Sequence, residues 1–365
     1  MNDMKKAKFP VATHSYFKAS NINEEFIKFV ASSDYEPKFT YVKKLNEATI
    51  MERLSEFEPD TLEYSTLECA LSGARLQTDD SELSNFGLIN KKLFGTPNEL
   101  YAKSVVCRMI KAQTVLNGNY LEELSKLLGK IEESEIHLGP SAYVFNKYKE
   151  YFDLYRSVAL SHDHDVSSAI MRELDMSGLS KNGWVLKIVE GDSHAVTCQK
   201  TKTIKIGKEY MPRTRRASER IAVHEVYSHA LRGPQDSIAE SEGFALVLEQ
   251  LLGKEFKLRR SYRYLAASLA VGCFGKEMTF RQVYEIIWRL MIISSRYNEE
   301  KAKKCAFDEC YRVFRGGRPD IPGAVYLKDI TYLQSNIDMW NMLMLRDFSY
   351  NEFVDIIEGR RTILK

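Results

Sequence analysis

Apolar residues recur at helical spacing along most of this chain, and only one short region interrupts the pattern. Spacings of three and four positions predict amphipathic helices in 21–33, 43–57, 99–116, 119–134, 140–175 and the region from 214 onward. The interruption consists of short segments rich in β-branched residues and separated by turn residues, namely WVLKIV (184–189), AVTCQ (195–199) and TIKIG (203–207). These segments predict a small meander or the strands of one sheet, so the expected fold class is α+β and mainly helical.

The composition is globular and argues against several functional classes. Of 365 residues, 44% are hydrophobic, and 52 Lys and Arg against 50 Asp and Glu give a formal net charge of +2. A balance this close to zero leaves no electrostatic footprint for nucleic acid or for a membrane surface. No apolar stretch approaches the roughly 18 residues of a membrane helix.

The termini and cysteines add expectations about the compartment. The start, MNDMKKAKFP, is not followed by the apolar run of a signal peptide, and the six cysteines contain no C-x-x-C pair. We therefore expect a soluble, cytoplasmic protein with reduced thiols.

No Pro, Gly or Ser-rich linker is long enough to mark a domain boundary. We predict an N-terminal tail over 1–20 and a single catalytic unit over 21–365. The predicted parts of that unit are a helical N-terminal part (21–180), the small sheet (184–207), two site helices (214–253) and a helical C-terminal part (258–360).

The segment from 219 to 253 carries the residues with the most chemical meaning. His224 and Glu225 are adjacent, and His229 follows, which gives an H-E-x-x-x-H pattern. At about 100° per residue, histidines five positions apart in a regular α-helix lie about 140° apart and cannot share a metal ion. A π-type turn with i→i+5 hydrogen bonds would bring them nearly into line. The spacing therefore predicts a distorted helix around 225–229, or no metal site.

A second helix is predicted soon after the histidines. Gly233-Pro234 ends the first helix, Asp236 and Ser237 are suitable N-caps, and IAESEGFALVLEQLL (238–252) follows. A short connection makes the two helices antiparallel neighbours.

This arrangement brings Glu240 or Glu242 beside His229, and Gly243 allows the helices to approach closely. A His, His, carboxylate set is typical of a catalytic zinc site, which leaves one coordination position open.

HEVYSHALR (224–232) and ESEGFA (240–245) resemble the signature of the HExxxH zinc metallopeptidases that carry a QEGLA or EEGLA box. That family includes the microtubule-associated tyrosine carboxypeptidases and many bacterial QEGLA-motif proteins. The Glu-Gly pair also resembles the NEGFA box of gluzincin aminopeptidases, in which the glutamate before glycine binds zinc. The resemblance implies a gluzincin-like zinc metallopeptidase fold and selects Glu242 as the third ligand.

The similarity extends over roughly 25–345, and it includes LINKKLFGTP (88–97), the predicted sheet and YRVFRGGRPDIPGAVYLKDITYL (311–333). Two positions depart from the family pattern. Tyr227 stands where the family usually has glycine, and we expect it to alter the π-type turn or partly cover the zinc. Ser241 replaces an acidic residue.

The resemblance and the chemistry of peptide hydrolysis together suggest roles for further residues. Glu225 would be the general base that takes the proton of a zinc-bound water. Tyr332 is the candidate donor to the oxyanion, and Arg315 or Lys328 would bind the carboxylate of a substrate C-terminus. Glu249 could orient a ligand histidine. TIKIG could be an edge strand that an extended substrate pairs with.

The predicted function is a zinc-dependent carboxypeptidase of the tyrosine-carboxypeptidase type, with a peptide or protein C-terminus as its partner. One alternative is a zinc-stabilised regulatory or binding protein that performs no hydrolysis, and another is a metal-dependent hydrolase of non-peptide amides. If no metal binds, His224 and His229 would be hydrogen-bonded core histidines. In the segment 162–165 (His-Asp-His-Asp), Asp163 or Asp165 is expected to cap a helix.

Overall fold

A computed structural model describes Lys91 and residues 94–112, 118–129, 136–156, 165–190, 195–208, 214–233, 238–295, 297–314 and 322–362. The predicted helices over 21–33 and 43–57, and the predicted tail over 1–20, lie outside these residues. The described chain is mainly helical and contains one small sheet, so the expected α+β class is confirmed.

Eleven α-helices are present within the described residues. In chain order they are α1 (Glu99–Lys111), α2 (Gly118–Leu128), α3 (Ala142–Arg156), α4 (Val166–Met176), α5 (Arg215–Val223), α6 (Ile238–Gly253), α7 (Ser261–Ala270), α8 (Phe280–Ser294), α9 (Glu299–Phe314), α10 (Ile330–Arg346) and α11 (Tyr350–Ile357). A π-helix (His224–Ala230) continues directly from α5. No helix among the described residues is both long and apolar enough to cross a membrane.

The chain divides into two compact units. One contains 1–136 and 260–330, and the other contains 137–259 and 331–365. Two compact units can still form one catalytic unit. The predicted catalytic unit over 21–365 therefore stays a prediction.

The first unit is a helical assembly built around α7, α8 and α9. The residues of α7 from Tyr264 to Ala270 are all buried, which is the mark of a helix surrounded by others. Phe280, the first residue of α8, makes edge contacts with Phe307 and Phe314 of α9 at centroid distances of 5.5 and 5.4 Å. Thr279 precedes α8 and closes a reciprocal capping box with Gln282.

The second unit contains the sheet, whose strands are β1 (Val185–Val189), β2 (Ala195–Cys198) and β3 (Thr203–Gly207). The strand order is β1-β3-β2, with β3 parallel to β1 and antiparallel to β2. A meander would have placed β2 in the centre, so that alternative is wrong and the one-sheet alternative is right. The prediction that TIKIG forms an edge strand is also wrong. Ile204 and Ile206 of β3 are both buried, and this apolar strand occupies the centre.

The core of the second unit surrounds the π-helix. Val226 and Tyr227 of the π-helix, Phe244 and Leu248 of α6, and Trp340 of α10 belong to one buried cluster. Within it, Gln250 of α6 accepts a hydrogen bond from the Trp340 indole at 2.7 Å. The predicted helix over 238–252 is confirmed, and Asp165 caps α4 by accepting from the Ser168 amide, as expected for one of the two candidates.

Candidate metal centre

Three potential metal ligands from two adjacent elements meet in the second unit. His224 and His229 come from the π-helix and Glu242 from the second turn of α6, and one ligand atom of each lies within 4.8 Å of the others. Oε2 of Glu242 lies 3.4 Å from Nε2 of His224 and 4.0 Å from Nε2 of His229. The glutamate brought beside the histidines is therefore Glu242, the one that the family resemblance selected over Glu240.

The π-helix explains how two histidines five positions apart can face one point. Its hydrogen bonds join residues i and i+5, as in the 2.8 Å bond from the Leu231 amide to the Val226 carbonyl. The imidazole centroids of His224 and His229 are consequently only 4.9 Å apart. A regular α-helix would separate these side chains by about 140°. The predicted distortion over 225–229 is confirmed.

Polar partners hold the far nitrogen of each imidazole. Nδ1 of His224 lies 2.8 Å from Oε1 of Glu249, whose other oxygen accepts from Arg259 at 3.0 Å. Because a carboxylate only accepts, the Nδ1 of His224 carries a proton and its Nε2 faces Glu242. Nδ1 of His229 lies 2.6 Å from the Ser241 hydroxyl. Outer partners of this kind fix the orientation of metal-binding histidines.

The electrostatic environment of His224 favours positive charge. Burial acts against a charged imidazole, but hydrogen bonds and charge from Glu242 and Glu249 outweigh it and raise the pKa of His224 to about 10. Glu242 and Glu249 thus create a negative potential at this imidazole, which favours a bound proton or a metal cation in its place. A set of two imidazole nitrogens and one carboxylate is that of open zinc sites.

Glu225 is buried beside His224, and a strand holds its carboxylate. The Thr197 hydroxyl of β2 donates to Oε2 of Glu225 at 2.7 Å. Just past β2, the Gln199 amide donates to the carbonyl of His229 and, at 3.3 Å, to that of Ala230. The edge strand that contacts the π-helix is therefore β2.

Sequence reasoning missed Thr197 and Gln199, although a signal was available. Side chains alternate between the two faces of a strand, so positions 195, 197 and 199 share a face. In AVTCQ that face carries Thr197 and Gln199, both polar, directly before the histidine helix.

The structure places the side chain of Tyr227 in the core of the second unit. The π-helix forms with Tyr227 in place, and the side chain is only 2% exposed. Its hydroxyl donates to Glu173 of α4 at 2.9 Å, and its ring packs against Tyr155 of α3. The side chain is thus fixed on the α3 and α4 side of the π-helix, where it belongs to the core.

Gly243 permits a close approach between α6 and α10. A Cβ atom at position 243 would lie 2.5 Å from the carbonyl oxygen of Ser335 in α10. The glycine therefore allows α10 to approach α6 closely beside Glu242. Ser241 makes contacts that the sequence did not suggest. Its hydroxyl contacts Nδ1 of His229 and donates to the Ser228 carbonyl.

The structure describes the positions of two of the three other predicted site residues. Arg315 lies outside the described residues. Lys328 is half-buried in a short 3-10 turn (Leu327–Asp329) of the first unit. Tyr332 is buried in the first turn of α10. The catalytic role of Tyr332 and the carboxylate-binding roles of Arg315 and Lys328 stay predictions.

Comparisons with known proteins add little to this geometry. No protein-family profile matches the sequence, and no curated protein does. A solved structure from Colwellia psychrerythraea, described as a "putative lipoprotein", aligns with 93% of this chain and 64% of its own, at 12% identity and a TM-score of 0.41. The chain thus spans less than two thirds of that protein, and a score at this level supports no conclusion about fold or function.

Proposed function

We propose that this protein is a zinc-dependent peptidase with a gluzincin-like site. The observation that carries the proposal is the convergence of His224, His229 and Glu242, with both outer imidazole nitrogens held and a buried glutamate next to the first histidine. Structural zinc sites are usually closed by four protein ligands, whereas catalytic sites take three. Among the described residues, the group contains three such side chains.

Each side chain of the centre has a specific task in this proposal. His224, His229 and Glu242 would hold Zn²⁺. The bound ion would act as a Lewis acid that polarises a carbonyl and lowers the pKa of water. Glu249 and Ser241 would keep the imidazoles oriented, because each contacts an Nδ1 atom.

Glu225 would handle the proton of the hydrolysis. Its carboxylate would accept a proton from the attacking water and deliver it to the leaving amide nitrogen as the C–N bond breaks. The bond from Thr197 occupies one lone pair of Oε2 and leaves Oε1 available for that proton. A structural zinc site has no need of such a base, which favours hydrolysis over a purely structural role.

The choice of substrate rests on the resemblance in the sequence. HEVYSHALR and ESEGFA resemble the tyrosine-carboxypeptidase type of HExxxH peptidase, so we propose a carboxypeptidase acting on a peptide or protein C-terminus. Tyr332 would then donate to the oxyanion, and Arg315 or Lys328 would bind the terminal carboxylate. The cytoplasmic location expected from the sequence stays a prediction.

The test combines metal analysis with a peptide digest. We expect close to one zinc per chain in the wild type, loss of zinc in His229→Ala, and retention in His137→Ala, a matched change at an exposed histidine outside the site. A peptide library should be cleaved by the wild type and by Glu240→Gln, but not by Glu225→Gln. Release of single C-terminal residues would identify a carboxypeptidase.

Two outcomes would contradict the proposal in different ways. Absence of bound metal would mean that His224 and His229 are ordinary hydrogen-bonded histidines. Zinc that depends on His229 without any cleavage would favour the non-hydrolytic, zinc-stabilised protein.

A further inference from the structure

The π-helix that joins the two histidines needs support from its surroundings. Such turns are rare because their i→i+5 hydrogen bonds are less favourable than those of an α-helix. One support comes from the Gln199 amide, which binds the carbonyls of His229 and Ala230 at the end of the turn. A second contact reaches the middle of the turn from α3 and α4, through Tyr227.

Tyr227 lies between the two histidines in sequence, three residues after His224 and two before His229. Its ring makes edge contacts with Phe152 and Tyr155 of α3 at centroid distances of 6.4 and 6.0 Å. Its hydroxyl donates to Oε2 of Glu173 at 2.9 Å. The backbone of the turn is thereby attached to α3 and α4 at the position midway between the ligands.

Glu173, which accepts this hydrogen bond, is itself held in place by other side chains. Glu173 is fully buried, and its carboxylate is held by ion pairs to Arg156 and, at 3.0 Å, to Arg172. Burial tends to raise the pKa of Glu173, but hydrogen bonds from Arg156, Arg172 and Tyr227 outweigh it and lower that pKa. The acceptor is therefore charged, and a hydrogen bond to a charged group is stronger than one between neutral groups.

We propose that Tyr227 and Glu173 are positioning residues of the metal centre, and that the bond between them holds the π-turn in the form that directs His224 and His229 to one point. This inference rests on the proposed function only in assuming that these histidines bind metal. It assigns a task to the residue that departs from the family pattern. A glycine at 227 could make no such attachment.

A plain core role for Tyr227 makes a different prediction. If the residue served only to fill space, its ring would suffice, and phenylalanine would replace it without consequence for the metal. Tyr227→Phe removes the hydroxyl alone and leaves Glu173 paired with Arg156 and Arg172. Tyr155→Phe is the matched control, because Tyr155 packs against the same ring and its own hydroxyl bonds to Glu358 at 3.4 Å.

The experiment measures zinc affinity by competition with a chromophoric chelator, and the visible absorption of the Co²⁺-loaded protein, on the full chain. We expect Tyr227→Phe to lose about tenfold in zinc affinity, the size of one charge-assisted hydrogen bond. We also expect its cobalt bands to shift, because they depend on ligand geometry. Tyr155→Phe should match the wild type in both measurements.

Stability is measured alongside, so that loosening of the core is distinguished from positioning. Phe152→Leu weakens the packing around Tyr227 without removing the hydroxyl, and it should keep the wild-type cobalt bands. Glu173→Gln weakens the same bond from the other side and should shift the bands in the direction seen for Tyr227→Phe.

Wild-type affinity and bands in Tyr227→Phe would overturn the inference. Equal losses in Tyr227→Phe, Tyr155→Phe and Phe152→Leu would also overturn it, because they would indicate general loosening. A wild type without zinc affinity would overturn both this inference and the proposed metal centre. Equal zinc binding by the wild type and by Tyr227→Phe would overturn this inference but would leave the proposed metal centre intact.

Discussion

The π-helix has charged groups on two sides, and the two sides balance their charge in different ways. On the α4 side, Glu173 pairs with Arg156 and Arg172, while Glu219 pairs with Arg215 at 3.3 Å. Guanidinium groups keep their proton at all ordinary pH values. The carboxylates on this side therefore have permanent positive partners inside the fold.

On the ligand side, two imidazoles and one guanidinium group face the carboxylates. Glu242 lies against both His224 and His229, and Glu249 lies between His224 and Arg259. An imidazole balances a carboxylate only when it holds a proton or a metal ion. The two sides thus differ in whether the positive charge can be gained or lost, because an imidazole can release its proton or bind a metal ion and a guanidinium group cannot. The two sides should therefore respond differently to substitution.

The largest effect is expected on the α4 side. Glu173→Gln leaves the buried guanidinium of Arg156 without its carboxylate, and breaking a buried ion pair costs about 3–5 kcal/mol. Urea unfolding of the metal-free protein would measure this loss in the free energy of unfolding. The control is Glu190→Gln, since Glu190 pairs with Lys208 at the surface and its loss should change stability by no more than about 0.5 kcal/mol. Equal stabilities would show that the buried pair is not stabilising.

The same residue gives a pH dependence of known sign. The folded-state pKa of Glu173 is lowered, so its contribution to stability is present above the unfolded pKa of about 4.3 and is lost as pH falls through the folded value. The difference in unfolding free energy between wild type and Glu173→Gln should thus be constant above about pH 5 and shrink in more acidic solution. A difference that grows on acidification would contradict the charged state of Glu173.

The next effect concerns the helix that supplies the ligand side. In Gly243→Ala, the new Cβ would lie 2.5 Å from the Ser335 carbonyl oxygen, so α6 or α10 must move. Overpacking of this kind costs about 1–3 kcal/mol, which exceeds the gain of about 1 kcal/mol from replacing a helical glycine. Because Glu242 is the neighbouring residue, zinc affinity should fall as well. Unchanged stability in urea would show that the contact is relieved at no cost.

The surroundings of Gly243 could not be predicted from the sequence, whereas the turn between the histidines could. The spacing of His224 and His229 predicted either a π-type turn or no metal site, because a regular α-helix would separate the two side chains by about 140°. Which helix approaches Gly243 depends on α10, almost ninety residues later in the chain, and no local pattern encodes that contact. The helices and the short strands were predictable for the same reason as the turn, since their periodicity is local.

The strand order and the surroundings of Tyr227 were beyond local reasoning. The central place of TIKIG follows from burial of Ile204 and Ile206 against the rest of the unit. Tyr227 was expected to alter the π-type turn or partly cover the zinc, and nothing in the sequence indicated its long-range contacts with Glu173 and Tyr155. Pairing between distant segments decides both features.

On the ligand side, Glu249→Gln should act on the metal more than on the fold. The amide can still contact His224, but it no longer supplies the negative charge that favours a cation there. Loss of such an outer partner typically lowers metal affinity by about 10- to 100-fold. Competition with a chelator measures this change, and Glu255→Gln, which removes an exposed carboxylate just beyond α6, is the control. Full affinity in Glu249→Gln would contradict a role for this carboxylate in orienting His224.

The smallest effect should follow from the neutral partner of the other histidine. Ser241→Ala removes the hydroxyl that contacts Nδ1 of His229 at 2.6 Å, but no charge is lost. A hydrogen bond between neutral groups contributes about 1 kcal/mol, so zinc affinity should fall by about tenfold or less. Ser241→Asp restores the acidic residue of the family pattern and should bind zinc more tightly than Ser241→Ala. If the alanine variant lost more affinity than Glu249→Gln, the hydroxyl and not the carboxylate would be the stronger support, and the contrast between charged and neutral partners would fail.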